Sequence, residues 1–396
     1  MARPKTLLLV LAGGAGGRME LLTEHRAKPA MPYGGSYRLI DVPLSNAHHA
    51  GIADVWVIEQ YHPTSIQDHL ANGRPWDLDR TTGGLMTLHP HLGSDREGWH
   101  QGTADALWRQ APLIREFGAE TVMVVSADAV YQLDYAEVAA AHLASGALVT
   151  MVTTRRPIDE ASRYGVVVTD PDGRITEYAY KPDEPATDVV TTEVFAFEPD
   201  ALLDTLQRLA DDGGEDGLRD LGHGLLPELV QRGGAREYRQ PGYWRDVGTI
   251  AAYHESHLEL VQPEPPIVLD DPGWPILTAN AARGGVRVDA GAQVGEALLG
   301  AGCRVAGTVR RSVLSGGVVV EAGAEVLDSV LLSGVTVREG AVVRGAVVDI
   351  NAIIEKGAKV GVGEPGKDAD DRIAVIGAGV RVGADAQVPP GARVDR

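Results

Sequence analysis

The sequence predicts an α/β domain with a doubly wound sheet, followed by a parallel β-helix. Three observations carry that prediction. Short apolar runs alternate with helical stretches from Thr6 to about Val261, and a glycine loop follows the first of those runs. Beyond Gly285, apolar residues recur at a separation of six within a larger period of about 17. The first two observations describe a sheet whose ligand sits outside the carboxyl ends of its strands, and the third describes a solenoid with three short sides per coil.

Leu7 to Leu11 are five consecutive apolar residues, as a strand buried on both faces requires. Gly13, Gly14, Gly16 and Gly17 follow, so the backbone can approach a ligand closely and point several amide N–H groups at a phosphate. A dinucleotide fingerprint counted from Gly14 needs glycine where Met19 stands, and a P-loop needs Gly-Lys-Ser/Thr, so neither pattern is present. Arg18 and then Lys28, before Pro29, place two cations to close over the phosphates that the amides hold. The alternative is a plain tight turn. Further strands are expected at Ala53 to Ile58, Thr121 to Val125 and Ala147 to Thr153, with helices at Asp105 to Phe117 and Tyr135 to Leu143. A parallel order brings the glycine loop after Leu11 and the Ser126-Ala127-Asp128 turn after Val125 to one edge.

After Val261 the chain reads QPEPPIVLDDPGWP, whose five prolines stop any helix and predict a linker. The expected division is an α/β domain over 1–261, a linker over 262–281 and a β-helix over 282–396. In the last part Gly-Ala pairs begin at Gly291, Gly323, Gly340 and Gly357, and apolar pairs fall at Val320/Val326, Val337/Val343 and Ile354/Val360, with a weaker one at Cys303/Val309. A sandwich of short strands is the competing architecture.

Composition narrows the function. With 44% hydrophobic and 23% charged residues the chain is an ordinary folding sequence, and a formal charge of −19 argues against nucleic acid or an acidic membrane as partner. The single cysteine, Cys303, makes no internal disulfide, and no apolar run approaches the roughly 18 residues of a membrane helix. The N-terminus carries no secretory pattern, and the expected location is cytoplasmic.

The stretch from Thr6 to Pro29 is similar to the signature of the sugar-1-phosphate nucleotidyltransferases, a glycine loop with a final arginine and a downstream Lys-Pro. YGGSYRLIDVPLSNAHHAGI, from Tyr33 to Ile52, resembles the bacterial glucose-1-phosphate adenylyltransferase family more narrowly. The resemblance implies a Rossmann-like nucleotidyltransferase domain with a left-handed β-helix after it. It also implies condensation of a nucleoside triphosphate, ATP first, with a sugar or cyclitol 1-phosphate, and a homo-oligomer, dimer or tetramer.

The site residues follow from the same likeness. Arg18, Lys28 and Asp128 are implied as catalytic, and Leu11, Ala12, Gly13, Gly14, Gly16, Gly17, Gln60, Gly102, Thr103 and Asp105 as nucleotide-binding. Lys181 is implied as the sugar-phosphate clamp, with Tyr180, Thr191 and Gly165 around it, and Asp128 and Asp246 as the two carboxylates for Mg²⁺. Read without the resemblance, Asp128 is either a solvated turn residue or a metal ligand, Asp105 either a nucleotide contact or a helix N-terminal residue, and Lys181 a solvated loop lysine. His48 and His49 lack a second ligand set and are not expected to bind metal.

The chain departs from the family at several places. Ala127-Asp128-Ala129 stands where Gly-Asp-His is usual, Tyr180-Lys181-Pro182 where Glu-Lys-Pro is usual, and Thr191-Thr192-Glu193 where Ser-Met-Gly is usual. Leu221-Gly222-His223-Gly224 replaces Phe-Gly-x-Asp, Ala15 replaces a charged loop residue, and Ser36 replaces the lysine of activator-responsive members. The expectation is a sugar pocket that has lost two carboxylates and so prefers a different sugar. The competing readings are a specialised cyclitol or modified-sugar transferase, with GTP as an alternative base, and a non-catalytic regulatory paralogue.

Overall fold

The structure is a computed structural model and describes residues 4–14, 16–90, 98–213, 218–279, 283–364 and 366–396. Ala15 and the expected boundary between 281 and 282 lie outside the described residues.

The N-terminal sheet has nine strands among the described residues. At its centre Thr6–Ala12 pairs parallel with Asp54–Glu59 on one side and Thr121–Ser126 on the other. Leu7, Leu8, Leu9 and Val10 are fully buried, as the unbroken apolar run requires, because helices cover both faces. The helix expected from Asp105 begins earlier, at Thr103–Phe117, and the second runs Tyr135–Ser145.

The sheet is mixed rather than parallel throughout. Val189–Phe197 lies antiparallel to Thr121–Ser126, to Val149–Arg155 and to Gly165–Thr169, while Gly165–Thr169 and Ile175–Tyr180 form an antiparallel hairpin. The local cause is the turn at Pro171-Asp172-Gly173. Gly173 has φ +77°, and Asp170 Oδ1 accepts from the N–H groups of Asp172 and Arg174, so the chain reverses in a few residues and needs no crossover helix.

The prolines after Val261 do stop the helix Ile250–Glu259 and its tail, but the segment is a strap and not a free tether. Ile267, Leu269 and Ile276 are buried, Trp76 Nε1 donates to the Leu277 carbonyl at 3.1 Å, and Trp274 Nε1 donates to Asn46 Oδ1 at 2.9 Å.

The C-terminal part is a solenoid of parallel strands with three stacked apolar columns. One runs Val305, Val320, Val337, Ile354, Val382; a second runs Val309, Val326, Val343, Val360, Val388; the third runs Leu314, Leu331, Val348, Ile376, Val394. Val305 rather than Cys303 fills the corner before Val309. Cys303 is buried beside it, its thiol facing the Ser315 carbonyl at 3.2 Å. The sandwich alternative is overturned, because among the described residues each strand pairs in parallel with the one a full coil away and none with an antiparallel neighbour.

Solenoid and sheet domain share a core. Val330, Leu332, Val347, Ile373 and Val375 belong to the same apolar cluster as Leu8, Val10 and Tyr253. Around that cluster Arg26 grips Asp349 with two hydrogen bonds at 2.9 and 3.0 Å, and His254 Nε2 donates to the Asp328 carbonyl at 2.7 Å. Asp370, in the irregular insertion after Val360, accepts from the Ala251 N–H at 2.6 Å. The insertion therefore holds the start of the helix Ile250–Glu259 instead of closing the end of the solenoid.

Candidate active site

Parallel pairing decides where the site lies. Leu11 is in register with Ile58 and with Ser126, so the glycine loop, Gln60 and Asp128 leave the sheet at one edge. They line a cleft of about 420 Å³ whose far wall is Tyr180, Lys181, Glu193 and Asp220.

Asp246 reaches this edge by a short ladder. Trp244–Asp246 pairs antiparallel with Ala129–Tyr131, with Asp246 opposite Ala129, which brings the two carboxylates together from 118 residues apart in sequence. Lys28 lies between them. Its ammonium donates to Asp128 Oδ2 at 2.6 Å and stands 3.6 Å from Asp246 Oδ1, with only 8% of the side chain exposed.

The electrostatics follow from that sandwich of charges. Burial alone would lower the Lys28 pKa, but Asp128 and Asp246 hold it above its ordinary value. Burial would likewise raise Asp128, yet Lys28 and the Ser126 hydroxyl keep its carboxyl below the usual range. Asp246 shows the opposite balance: burial, with Asp128 alongside, pushes it up despite the pull of Lys28. Asp128 and Asp246 are thus neighbouring carboxylates that share Lys28, with the Arg18 guanidinium as a second cation acting on both.

Of the residues named from the sequence, Leu11, Gly13, Gly14, Arg18, Lys28, Gln60, Gly102, Thr103, Asp128, Tyr180, Lys181 and Asp246 line the cleft. Ala12 is buried behind it. Gly16 shapes the loop from outside the cleft, with φ +68° and a carbonyl that accepts from the Thr23 hydroxyl at 2.9 Å, and Gly17 opens the helical turn Gly17–Thr23.

Asp105 sits away from the cleft wall. In the first turn of Thr103–Phe117 it accepts from the Gln101 N–H and from Arg109 Nε, at 2.9 and 2.8 Å, which is the helix N-terminal alternative. Gln60 has both ends of its amide engaged, donating to the His100 carbonyl and accepting from the His100 N–H, so it anchors the loop that faces the cleft. Gly165 and Thr191 pack behind Tyr178, where a Cβ on Gly165 would meet the Tyr178 hydroxyl at 2.7 Å.

Gly102 is required for a steric reason. Its backbone is extended, but an added Cβ would lie 1.7 Å from the Arg219 carbonyl oxygen. Next to it, the N–H groups of Ala104 and Asp105 donate to the Arg219 and Leu218 carbonyls. Gly102→Ala is therefore expected to push this helix start away from 218–221, lowering the melting temperature by several degrees and any turnover by about tenfold or more, the scale of about 1–3 kcal/mol of overpacking. Thermal melts with steady-state kinetics check it, and an unchanged variant would refute the contact.

The sugar side carries acids at other positions. Tyr180 and Gly224 do replace carboxylates, and Gly224 lies outside the cleft at the start of the helix Leu225–Gln231. Glu193 and Asp220 nevertheless line the same wall. Lys181 Nζ donates to the Tyr180 hydroxyl at 2.8 Å, which donates to Asp220 Oδ2 at 3.3 Å, while the Tyr180 ring rests on Gly222 and against His223 at 4.6 Å. Sequence reasoning missed Asp220, Arg163, Tyr164 and Trp244. Each of these stands within two residues of a position that the resemblance had already singled out: Leu221, Gly165 or Asp246.

His48 and His49 bind backbone carbonyls of Trp76 and Pro275, and among the described residues no group of three or more His, Cys, Asp or Glu is placed to hold a metal unaided.

Comparison with known proteins agrees with this geometry. Residues 7–262 match the nucleotidyl transferase family, and residues 285–383 match the GlmU-like C-terminal hexapeptide family. A glucose-1-phosphate adenylyltransferase of Thermomicrobium roseum is 39% identical over 394 residues, covering 98% of this chain and 91% of its own. One from Fervidobacterium nodosum is 36% identical over 90% of this chain and 85% of its own, and one from Bacillus cereus is 33% identical over 94% and 98%. With the glycine loop, the Lys28–Asp128–Asp246 cluster and the solenoid all in place, this chain belongs to the nucleotidyl transferase family, in its glucose-1-phosphate adenylyltransferase branch.

Proposed function

We propose that the protein condenses a nucleoside triphosphate, ATP first, with a glucose-1-phosphate-like sugar 1-phosphate, giving a nucleotide sugar and pyrophosphate. The observation that carries this reading is Lys28 held between Asp128 and Asp246 beside the glycine loop, with Lys181 on the facing wall. An oxygen of the 1-phosphate attacks the α-phosphorus, a new P–O bond forms, the α–β anhydride bond breaks, and pyrophosphate carries away its electron pair. No side-chain nucleophile takes part. The protein's work is positioning and charge stabilisation.

The loop backbone at Gly13 and Gly14 offers N–H groups to the triphosphate, and Arg18 and Lys28 meet its negative charge. Lys181 meets the incoming phosphate from the opposite wall. The two carboxylates fit Mg²⁺, since they are hard oxygen donors close enough for Asp128 to push the Asp246 carboxyl up, and too few to complete a coordination shell without phosphate and water. When bound there, Mg²⁺ supplies neutralisation of phosphate charge.

The test is pyrophosphate release across a matrix of nucleoside triphosphates and sugar or cyclitol 1-phosphates. Release that requires both substrates and Mg²⁺ is the expected outcome, and hydrolysis without a 1-phosphate, or no release with any pair, refutes the reading. A second reading, a transferase for a cyclitol or modified-sugar 1-phosphate with GTP as the alternative nucleotide, is favoured by the rebuilt sugar wall at Tyr180 and Glu193. The matrix separates the two. A non-catalytic paralogue is disfavoured by the joint presence of Arg18, Lys28, Asp128, Lys181 and Asp246 in one cleft.

A cytoplasmic location and a homo-oligomer, dimer or tetramer, complete the proposal. Val286, Val288, Val294 and Leu298, on the first coil of the solenoid, are exposed apolar residues that suit burial against a second copy, which light scattering of the full chain reads directly. Among the described residues no helix is long and apolar enough to cross a membrane.

A further inference from the structure

Glu193 lies where the strand Val189–Phe197 leaves its regular ladder. Pairing with Val149–Arg155 holds from Val189 to Thr191 and resumes at Phe195, so the register shifts between these points. At Glu193 the backbone is left-handed, with φ +61°, a conformation that glycine adopts freely and a residue with a Cβ does not. Its neighbours Thr192 and Val194 are buried, while Glu193 lines the cleft. A bulge of this kind re-aims one side chain off the sheet.

The carboxylate so presented has no partner. Among the described residues no side chain or backbone N–H donates a hydrogen bond to Glu193 and no cation pairs with it. Burial and the neighbouring Asp128, Asp246 and Asp220 carboxylates push its carboxyl up to about 7, against the pull of Lys181. By contrast, Asp220 accepts from Tyr180, and Asp128 and Asp246 share Lys28. Strained backbone that delivers an unpaired carboxylate into a cleft has no stabilising role by itself, since glycine would relieve the strain and remove the half-buried acid together. What completes it is a donor on the ligand.

Resting on the transferase reading above, we propose that Glu193 is the residue that selects the 1-phosphate, accepting hydrogen bonds from hydroxyl groups of the ring that Lys181 holds by its phosphate. A carboxylate thus stands at Glu193, where the family pattern has glycine, on the wall that Asp220 also lines. The ligand is a polyhydroxylated ring 1-phosphate, either hexose or cyclitol, whose hydroxyls face the strand Val189–Phe197.

The experiment is steady-state kinetics of the wild type, Glu193→Gly and Glu193→Gln on a fixed panel of glucose, galactose and mannose 1-phosphates and an inositol 1-phosphate, with ATP and GTP. Expected in Glu193→Gly is a rise of about tenfold or more in KM for the preferred 1-phosphate, the scale of one lost hydrogen bond to a charged group. The nucleotide KM should stay within about twofold and the melting temperature should not fall, because glycine suits the backbone there. Glu193→Gln, which keeps an acceptor oxygen, should recover part of the loss. Which arm of the panel is preferred by the wild type distinguishes hexose from cyclitol. Unchanged KM for the preferred 1-phosphate in both variants overturns the role of Glu193 while leaving the transferase reading intact. Parallel rises in both KM values with a fall in melting temperature mean a structural role and overturn it equally. A wild type that turns over no pair of the panel rejects the transferase reading itself, and this inference with it.

Discussion

Asp128→Asn and Asp246→Asn should each lower pyrophosphate release by at least about 10²-fold, the scale of removing one preorganised electrostatic contact from a site that stabilises developing charge. Both substitutions keep the side-chain shape, so the sheet edge stays as it is. The two differ in a second respect. Lys28 is nearly enclosed and bonds Asp128 at 2.6 Å but only approaches Asp246 at 3.6 Å, so Asp128→Asn leaves a buried ammonium with its weaker partner alone. The melting temperature is accordingly expected to fall further in Asp128→Asn than in Asp246→Asn, whereas the Mg²⁺ concentration for half-maximal rate should rise in both. Kinetics over a Mg²⁺ titration with thermal melts measure this, and full activity in both variants would remove these carboxylates from the reaction.

Cutting the chain after Val261 should yield aggregated protein rather than a soluble catalytic domain. The cut removes eight buried aliphatic side chains that share the sheet domain's core: Ile267, Leu269 and Ile276 of the strap and Val330, Leu332, Val347, Ile373 and Val375 of the solenoid. Each buried side chain of this size is worth roughly 1.5–3 kcal/mol, and the apolar surface left behind is of similar extent. Their total exceeds or matches the roughly 5–15 kcal/mol that holds a whole domain folded. Arg26 also loses the enclosed Asp349, and Ala251 N–H loses Asp370 at the start of its helix. Solubility and light scattering of the 1–261 fragment decide the matter. A monodisperse fragment melting with the full chain would show that the strap and solenoid contribute nothing to the catalytic fold.

How much of this was legible in the sequence depends on whether the cause was local. The central strand needed only the apolar run Leu7 to Leu11, and the loop after it only its glycines, because both depend on backbone conformation and burial within a dozen residues. The solenoid was readable from period alone, since stacked coils repeat the same apolar positions, and the one misplaced position, Cys303 for Val305, falls where the coil from Val305 to Val320 is two residues shorter than the coils before and after it. Asp128 and Asp246 were named from resemblance, and no spacing argument joins residues 118 apart.

What the tertiary structure alone decided are pairings and directions. The antiparallel insertion of Val189–Phe197 and the engagement of Gln60 with His100 depend on partners far along the chain. So does the strap, whose prolines forbid a helix but say nothing of the pocket that receives Trp274 and Ile276. Glu193 shows the division most clearly. Sequence marked it as a departure from glycine, but only the register shift in its strand turns it into the cleft, because a period-two strand offers each side chain two faces and a bulge, set by what the neighbouring strand allows, chooses between them.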